Sequence, residues 1–492
     1  MNDENALLKK LTQECEAEQL HLSGAIQSFG AMLCLEEQSG LVTHASANLA
    51  EFIGIAPGDL LGRSLAECNL LPPSALENLP VNPGQTLSVS LHNHMDALLI
   101  RGNNCLLLEI ERCTITPLPI PLHHYQRPLM YAPRDSNELI EYHHVLLQAF
   151  RELTGYERCM AYQFHEDWSG KVIAEVTASG MGSYLGMHFP ASDIPAIARN
   201  LYLINPARMI PDASAPVIPL LSHNAEPPDL TWSNLRSVSP VHLQYLQNMG
   251  VCASFSVPIR IGGTLWGMVA CHNQTPLTLS SDQRDTCVAL CNAYALGLSS
   301  HIASRRLQML DSLDRRVDKI MEALSKHTDP LDGIESNSRV LMEALAAQGF
   351  AMAVKDNVVI AGNGPDLDGI AEIDNWFLNG CRELLYSTDH LSEVTELPAE
   401  LLASVSGMMA IKARSPRSGW VRFYWFRPAE PQEITWAGNP NKPITENAGA
   451  IALSPRRSFE RWVETRMDYS RAWSGEDKLV ASKFRSSLLR WL

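Results

Sequence analysis

The N-terminal segment of the chain alternates between short apolar runs and turn-forming residues. The runs at 30–35 and 106–110 have the length and composition of β-strands. Asn48 stands where it caps a short helix over Leu49–Ile53, which the following glycine ends. Strands with a short helix predict a small α+β domain, and the proline-rich stretch at 117–122 predicts a linker after it.

The next segment, from about residue 125 to 300, has the pattern of a second α+β domain. Its periodicity predicts one amphipathic helix and four strands, at 139–154, 159–164, 171–176, 253–259 and 265–270. A helical pattern then begins at Ser281 and continues to about Ser325. A helix of about forty residues is too long for one small domain, so it indicates a spine between domains or a dimer seam.

The last segment, from about residue 330 to the end, again mixes helices and strands. The run 420–426 alternates as a strand, and the stretch 428–454 is rich in Pro, Gly and Asn, which predicts a long extended loop. The chain finishes in a predicted helix over 478–492 that has no capping glycine and no polar tail. We expect a further domain to follow in the natural protein.

The composition is that of a folded protein with several domains. The 492 residues are 46% hydrophobic and 19% charged, and the net charge of −15 disfavours nucleic acids and anionic membranes as partners. The sequence contains no apolar run of the roughly 18–20 residues that span a bilayer, and its acidic N-terminus is not that of a signal peptide. We therefore predict a cytoplasmic protein. Eleven scattered cysteines do not indicate a disulfide framework.

Several residues that bind ligands in proteins are concentrated in the second segment. Asp193 lies in a Pro-Ala-Ser-Asp-Ile-Pro run, where prolines restrain the backbone on both sides. Arg236 and His242 lie in a second polar run at 236–245, and His272 ends a predicted strand. Each of these residues alone is explained by a turn, a surface charge or a buried core position. Together they predict a polar, aromatic-lined cavity in a sensory domain.

The same runs resemble those of bacteriophytochromes, which are biliverdin-binding red/far-red photoreceptors. The similar motifs are Pro-Ala-Ser-Asp-Ile-Pro at 190–195, Ser-Pro-Val-His-Leu-Gln-Tyr at 239–245 and Ala-Cys-His at 270–272. Cys15 with Ile-Gln-Ser-Phe-Gly at 26–30, and Trp-Ala-Gly at 436–438 with Pro-Arg-Arg-Ser-Phe at 455–459, resemble other parts of the family. The resemblance implies an α+β multidomain fold of antiparallel sheets with flanking helices, joined by a long helical spine. The implied domains are an N-terminal arm and PAS domain at 1–122, a GAF domain at 123–304 and a PHY domain at 305–492, with a tongue at about 424–464.

The resemblance implies roles around a bound biliverdin IXα. Arg208 and Arg236 would bind one propionate, a task suited to a planar cation, and Ser254 and Ser256 would bind the other. The Asp193 carbonyl, and His242 through a water, would accept hydrogen bonds from pyrrole N–H groups. His272 would hold the D-ring carbonyl. The remaining pocket residues implied by the resemblance are Tyr162, Tyr184, Phe189, Tyr202, Tyr245, Ser239 and Ile194.

The resemblance also implies covalent attachment and a light-driven switch. Cys15 would form a thioether with a vinyl group of the pigment. Val241 occupies the position where plant and cyanobacterial relatives carry their attachment cysteine, so the resemblance implies biliverdin and not the more reduced bilins. Arg456 would pair with Asp193 in the dark, and Ser458 would replace it after light while the tongue refolds from hairpin to helix. A homodimer along the spine would signal to an output domain or response regulator outside this chain.

Two other functions compete with a light sensor at this stage. A PAS–GAF regulator that binds another small ligand, such as a cyclic nucleotide, would not need Cys15, Asp193 and His272 together. A hydrolase that uses Asp193 and His242 as an acid–base pair would need a nucleophile or a metal motif, and the sequence contains no familiar one. We expect a sensory module without metal and without enzymatic activity of its own.

Overall fold

The structure of the chain is a computed structural model. It describes residues 19–92, 94–113, 121–223, 226–328, 330–355, 357–394, 405–416, 419–440, 444–447, 450–453, 456 and 458–491. Cys15 and most of the predicted linker at 117–122 lie outside the described residues. The chain divides into two compact units: residues up to His301 with Thr435–Trp462, and Ile302–Ile434 with Val463–Leu492.

The N-terminal part confirms the predicted mixture of strands and short helices. Its elements are a 3-10 turn at Leu20–Leu22, β1 (Ala25–Gln27), β2 (Gly30–Glu36), β3 (Val42–Ser46), α1 (Leu49–Ile53), α2 (Pro57–Leu60), α3 (Pro73–Glu77), β4 (Thr86–Leu91), β5 (Met95–Arg101) and β6 (Cys105–Arg112). The capping role predicted for Asn48 is wrong. Its side-chain Nδ2 donates to the Gly30 carbonyl oxygen at 3.0 Å, so a tertiary contact replaces the local cap.

The middle part contains the predicted helix and all four predicted strands. Its elements are α4 (Leu122–Leu129), α5 (Ser136–Thr154), β7 (Arg158–Phe164), β8 (Gly170–Thr177), β9 (His188–Phe189), a 3-10 turn at Ala191–Asp193, α6 (Ala196–Ile204), β10 (Arg208–Ile210), β11 (Val217–Ser222), α7 (Pro240–Asn248), β12 (Ala253–Ile261), β13 (Thr264–Asn273) and α8 (Ser281–Ser325). The long helix predicted from the apolar spacing is confirmed, and it contains 45 residues.

The C-terminal part differs from the prediction in one region. Its elements are α9 (Pro330–Ser336), α10 (Ser338–Ala344), β14 (Gly349–Val354), β15 (Asn357–Gly362), α11 (Leu367–Asn379), β16 (Leu385–Thr388), a 3-10 turn at Leu391–Glu393, β17 (Gly407–Ser415), β18 (Gly419–Arg427), β19 (Gln432–Ala437), β20 (Ile444–Asn447), β21 (Ala450–Leu453), β22 (Arg461–Arg466) and α12 (Gly475–Trp491). The extended loop predicted at 428–454 contains β19 and the β20–β21 hairpin. These strands are only four to six residues long, so their turn residues dominate the local pattern.

In the first unit, a strand from the middle of the chain completes the N-terminal sheet. The seven strands have the order β1-β11-β3-β2-β6-β5-β4, so β11 lies between β1 and β3. Ala25 of β1 pairs with Pro219, and Ser46 of β3 pairs with Leu220, both in antiparallel register. This insertion fixes the chain that follows β11 against the N-terminal sheet.

The second sheet of this unit has two faces of different character. Its order begins β10-β12-β13-β7-β8-β9, and one face packs on α5 and α8 through a continuous apolar core. On β12, Phe255 faces that core, while its neighbours Ser254 and Ser256 face the opposite side, where they line a cavity. This two-residue alternation along a strand separates the structural face of the sheet from the face that forms the candidate site.

The second unit is built on a five-stranded sheet with the order β15-β14-β18-β17-β16. Strand β18 is buried continuously from Val421 to Arg427, because apolar clusters cover both faces of the sheet. One cluster includes Leu313 and Val317 from the second half of α8 together with Phe484 of α12. The strand predicted at 420–426 is confirmed, and its two buried faces explain why burial does not alternate along it.

Helix α8 is long and apolar enough to cross a membrane by length and composition alone. The most apolar window of the helix is 44% buried inside the protein, and a single helix of this kind is weak support for a membrane span. The predicted cytoplasmic location stays a prediction.

Gly267 of β13 tests the packing that holds the site-bearing sheet together. A Cβ atom at this position would lie 2.2 Å from the carbonyl oxygen of Tyr162 on β7. We expect Gly267→Ala to lower the free energy of unfolding by about 1–3 kcal/mol, because the backbone oxygen has no room to move. Urea unfolding followed by fluorescence measures the change. Gly58→Ala is the control, since nothing lies within 4 Å of that Cβ position; equal midpoints for the two variants would contradict the prediction.

Candidate ligand-binding site

A cavity of about 590 Å³ lies on the open face of the second sheet. This volume falls within the roughly 300–1,000 Å³ that small-molecule sites occupy in proteins. Strands β7, β12 and β13 form one wall, and the segment from the 3-10 turn through α6, with α7, forms another. The cavity lies entirely within the first unit.

The strand wall follows directly from the two-residue alternation of the sheet. Ser254 of β12 pairs with His272 of β13, and Ser256 pairs with Ala270. Tyr162 of β7 lies opposite Met268 in the same sheet. Because paired residues point to the same face, these side chains lie side by side on the cavity wall.

The helical wall brings together residues that are far apart in the sequence. The 3-10 turn at Ala191–Asp193 follows Pro190, and α6 begins directly after Pro195, so prolines bracket Asp193 as the sequence predicts. His242 and Tyr245 lie on α7, with their ring centroids 5.9 Å apart. The Tyr202 hydroxyl of α6 lies 2.7 Å from the Ser256 hydroxyl, which connects this wall to the strand wall.

Two arginines on the cavity wall donate to backbone carbonyls. Arg208 donates to the carbonyl oxygens of Asn234, Arg236 and Ser237, at 3.3 Å and 3.1 Å for the first and last. Arg236 donates from one guanidinium nitrogen to the carbonyls of Leu230 and Thr231, both at 3.3 Å. Among the described residues, neither arginine forms an ion pair with a carboxylate. The wall therefore carries two enclosed cations without a matching anion.

Burial sets the protonation of the charged and imidazole groups on the wall. Burial, with the charge of Arg236 adding to it, lowers the pKa of Arg208 to about 9, and burial lowers the pKa of Arg236 to about 10. Both arginines therefore remain protonated at neutral pH. Burial, with the charge of Arg208 adding to it, lowers the pKa of His242 to about 4. Burial, with the charges of Arg158 and His242 adding to it, lowers the pKa of His272 to about 3. Both imidazoles are neutral at pH 7 and each has one nitrogen able to accept a hydrogen bond.

Some buried polar atoms on the wall have no hydrogen-bond partner, which indicates a polar ligand. Within the described part of the chain, the Tyr162 hydroxyl, His272 Nδ1 and Asn205 Oδ1 are buried without a hydrogen-bond partner. Buried polar groups are nearly always paired in proteins, so such atoms on a cavity wall are suited to bonds with a bound molecule. No group of three or more His, Cys, Asp or Glu side chains suited to a metal ion occurs among the described residues.

A buried ion pair next to α7 joins Asp193, which lines the cavity, to Arg456, which does not. Arg456 pairs with Asp193 Oδ2, and both side chains are only 2% exposed. The Tyr245 hydroxyl donates to the same carboxylate oxygen at 3.1 Å. Asn248 of α7 donates from Nδ2 to the carbonyl oxygen of Arg456 at 2.9 Å, and Phe459 packs edge-on against Tyr245 with ring centroids 4.9 Å apart. Arg456 and Phe459 are thus joined to the 3-10 turn and to α7 by charge, hydrogen bonds and an aromatic contact.

Most residues that the sequence singled out meet at this cavity. The predicted residues that line it are Asp193, Ile194, His242, His272, Arg208, Arg236, Tyr162, Phe189, Tyr202, Tyr245, Ser239, Ser254 and Ser256. Tyr184 does not line the cavity. Its ring packs against Phe189, with centroids 5.7 Å apart, and under the Arg158 guanidinium at 4.3 Å. Ser458 is exposed and lies outside the lining. The roles of these residues toward a ligand stay predictions.

Other wall residues were missed in the sequence. Met160 and Met268 lie on the cavity face of their strands, and extending the alternation from Tyr162 and His272 would have found both. Asn205, at the end of α6, carries one of the unpaired buried atoms and has no local sequence signal. Such a position depends on how α6 packs against the rest of the unit.

Comparison with known proteins assigns this architecture to a family. A PAS fold matches residues 15–113, a GAF domain matches 138–298 and a phytochrome region matches 313–492. The phytochrome photosensory core module of Stigmatella aurantiaca is 31% identical, with a TM-score of 0.81 and coverage of 97% of both chains. The bacteriophytochrome of Pseudomonas aeruginosa is 32% identical over 96% of this chain. The chain belongs to the bacteriophytochrome family.

Membership in this photoreceptor family explains the arrangement of PAS, GAF and PHY regions and implies a linear tetrapyrrole chromophore. The chain spans 66% of the length of the Pseudomonas bacteriophytochrome and 65% of the cyanobacterial phytochrome B of Nostoc, to which it is 32% identical. The cavity fits such a chromophore, because Arg208 and Arg236, which form no ion pair among the described residues, suit its carboxylates. The unpaired atoms of Tyr162 and His272 suit its polar ring edges.

Removal of Arg456 tests the buried ion pair with Asp193. Arg456→Ala leaves the Asp193 carboxylate buried without its cation, at a cost of about 3–5 kcal/mol. We expect limited proteolysis to cut residues 438–456 at least about tenfold faster in this variant. Arg461→Ala, on an exposed residue of β22, is the control and should leave the rate unchanged. Equal cleavage rates for all three proteins would show that the ion pair does not hold this segment.

The buried imidazoles predict a pH dependence for the ligand-free chain. His242 and His272 have folded-state pKa values of about 4 and about 3, below the value of about 6.5 for unfolded histidine. The unfolded chain therefore binds more protons between these values. Stability is fully present above about pH 6.5 and is lost as the pH falls toward the folded-state pKa values.

Urea midpoints measured from pH 8 to pH 5 test this dependence. We expect the midpoint to fall with pH in the unmodified chain, and the fall to be smaller in a double variant with His242→Gln and His272→Gln. His92→Gln, on an exposed residue, is the control and should keep the original slope. A double variant with an unchanged slope would refute the assignment.

Proposed function

We propose that this chain is a red/far-red light sensor that binds biliverdin IXα covalently and switches reversibly by Z/E isomerisation. The observation that carries the proposal is the cavity itself, whose wall combines two enclosed arginines, two neutral histidines and a set of aromatic rings. A linear tetrapyrrole, when bound, supplies absorption of red light and a double bond that isomerises. The protein supplies binding, orientation and a surrounding that restricts the motion.

The charged groups of the wall suit the two carboxylates of biliverdin. Arg208 and Arg236 present planar cations that bind carboxylates through two parallel hydrogen bonds. Ser254 and Ser256 add hydroxyl groups on the neighbouring strand, and Tyr202 connects with Ser256 at 2.7 Å. We assign these residues to the propionates.

The neutral histidines suit the pyrrole edge of the same ligand. His242, which is neutral at pH 7, offers an acceptor nitrogen to pyrrole N–H groups, directly or through a water. The unpaired Nδ1 of His272 suits the carbonyl of a terminal ring. Tyr162, Phe189 and Tyr245 place aromatic rings on the same cavity wall, and we assign them to the space in which a terminal ring rotates.

Biliverdin is proposed over more reduced bilins because of the attachment position. Val241, on the cavity wall, stands directly before His242, so the chain offers no thiol there. Cys15 is the proposed attachment residue, and it lies outside the described residues. Its thiol would add across a vinyl group of the pigment, forming an S–C bond with the proton transferred to carbon.

The ion pair of Asp193 and Arg456 suggests how the state of the cavity reaches the rest of the protein. We assign residues 424–464 to the tongue, and propose that Ser458 takes the place of Arg456 after light while the tongue refolds. The exposed apolar side chains Leu296, Ile302, Leu307 and Leu310 on α8 support a homodimer along this helix. The output domain or response regulator that receives the signal would lie outside this chain, which we propose has no enzymatic activity.

Expression of the chain with biliverdin tests the proposal. We expect absorption spectra that interconvert under red and far-red light, and a pigment that stays on the denatured protein and fluoresces with zinc on a gel. Cys15→Ala should bind pigment that is lost on denaturation, whereas Cys113→Ala, a partly exposed cysteine of the same region, should keep it. A colourless protein would instead favour a PAS–GAF regulator with another small ligand. Pigment retained on denatured Cys15→Ala would refute the attachment site.

A further inference from the structure

A buried carboxylate of the N-terminal sheet lies beneath the two cavity arginines. Glu109 of β6 is 1% exposed and accepts hydrogen bonds from the segment that carries Arg236. Its Oε1 accepts from the Ser233 hydroxyl at 2.6 Å and from the backbone N–H groups of Asn234 at 2.8 Å and Leu235 at 3.2 Å. Its Oε2 accepts from Asn234 Nδ2 at 3.1 Å. A buried charge with this many donors is compensated through hydrogen bonds.

The same segment contacts the guanidinium of Arg208 and fixes the backbone of Arg236. Asn234, whose N–H binds Glu109, accepts from Arg208 on its carbonyl oxygen at 3.3 Å. The Ser233 hydroxyl, which donates to Glu109, accepts from the backbone N–H of Arg236 at 3.0 Å. The Arg208 guanidinium is thus one residue removed from the Glu109 carboxylate, and the backbone of Arg236 is one hydrogen bond removed from it.

Electrostatics connects the same three groups. The negative charge of Glu109 raises the pKa of Arg208 and of Arg236, partly offsetting the effect of burial on both. Burial, with the charge of Glu111 adding to it, raises the pKa of Glu109 itself, while its hydrogen bonds from Ser233, Leu235 and Asn234 lower it in part. All four contacts come from donors, which is the pattern that a carboxylate, and not a carboxylic acid, satisfies.

We infer that Glu109 is a positioning residue that holds Arg208 and Arg236 on the cavity wall in the orientation that binds the carboxylates of a ligand. It acts through residues 233–236 and does not itself line the cavity. The N-terminal sheet therefore contributes to ligand selection through residues 233–236, without itself supplying Glu109 to the cavity wall. In its reference to a carboxylate-bearing ligand, the inference rests on the proposed function.

Reversible binding of two forms of the pigment tests this role. In a Cys15→Ala background, the chain is titrated with biliverdin and with biliverdin dimethyl ester, which lacks both propionate charges. We expect Glu109→Gln to weaken biliverdin binding about tenfold and to change diester binding less than about twofold, since only the charged form needs oriented cations. Ser233→Ala, which removes the bridging hydroxyl, should act in the same direction.

A second carboxylate on the same strand provides the control. Glu111 pairs with Arg284 of α8 at 2.7 Å, so Glu111→Gln removes the same charge without touching residues 233–236. It should change binding of neither pigment form. Equal weakening of both forms by Glu109→Gln, or no weakening of biliverdin binding, would overturn the inference, because a merely structural role does not distinguish the acid from its ester.

Hydrogen exchange on the ligand-free chain separates this inference from the proposed function. We expect Glu109→Gln to speed amide exchange at residues 233–236 about fivefold, and Glu111→Gln to leave it unchanged. Unchanged exchange in Glu109→Gln would overturn the positioning role even if the chain binds biliverdin. If the chain binds neither pigment form, the proposed function fails while faster exchange still supports the positioning of the arginines.

Discussion

The burial of the ion pair between Asp193 and Arg456 is the constraint on which the candidate site depends. Two charges that are 2% exposed survive in the interior only if nearly every hydrogen bond around them is made. Tyr245 supplies one bond to the carboxylate, and the carbonyl oxygen of Ala437 accepts from Arg456 at 2.5 Å. The pair therefore requires α7, the 3-10 turn that carries Asp193 and the end of β19 to be in place together.

Much of the fold could be predicted because its strongest patterns are local. Helix α8 keeps apolar residues at spacings of three and four over 45 residues, and the strands of the second sheet alternate or run apolar over their whole length. One failure occurred where a tertiary contact outweighs the local signal. Asn48 has the identity and position of a helix cap, yet its side chain binds the Gly30 carbonyl on a neighbouring strand. The strands between 428 and 454 were missed for a different reason, because they are only four to six residues long and lie among turn residues.

The candidate site could be predicted only in part, because its residues come together through topology. The motif around Asp193 and the serines on β12 follow from the sequence, and the structure brings them to one cavity. Glu109 could not be assigned in this way, since the residues that it binds lie about 125 positions later in the chain. Strand β11 is inserted into the N-terminal sheet, and this brings the residues that follow it close to Glu109. No local sequence pattern predicts that strand pairing. Tyr184 was predicted to line the cavity, but its ring packs under the Arg158 guanidinium outside the cavity lining.

The two buried charges that organise the cavity differ in how completely they are satisfied. Both oxygens of Glu109 accept hydrogen bonds from residues 233–234. Any movement of those two residues away from β6 therefore breaks these bonds. Arg456 binds Asp193 and two backbone carbonyls, yet its Nε is buried without a partner among the described residues. A buried donor without a hydrogen bond raises the free energy of the conformation that contains it. The conformation in which Arg456 binds Asp193 is therefore less stable than it would be with that bond made. Of the two groups, the Glu109 carboxylate is therefore the more completely satisfied, whereas the Arg456 guanidinium keeps one buried donor without a hydrogen bond.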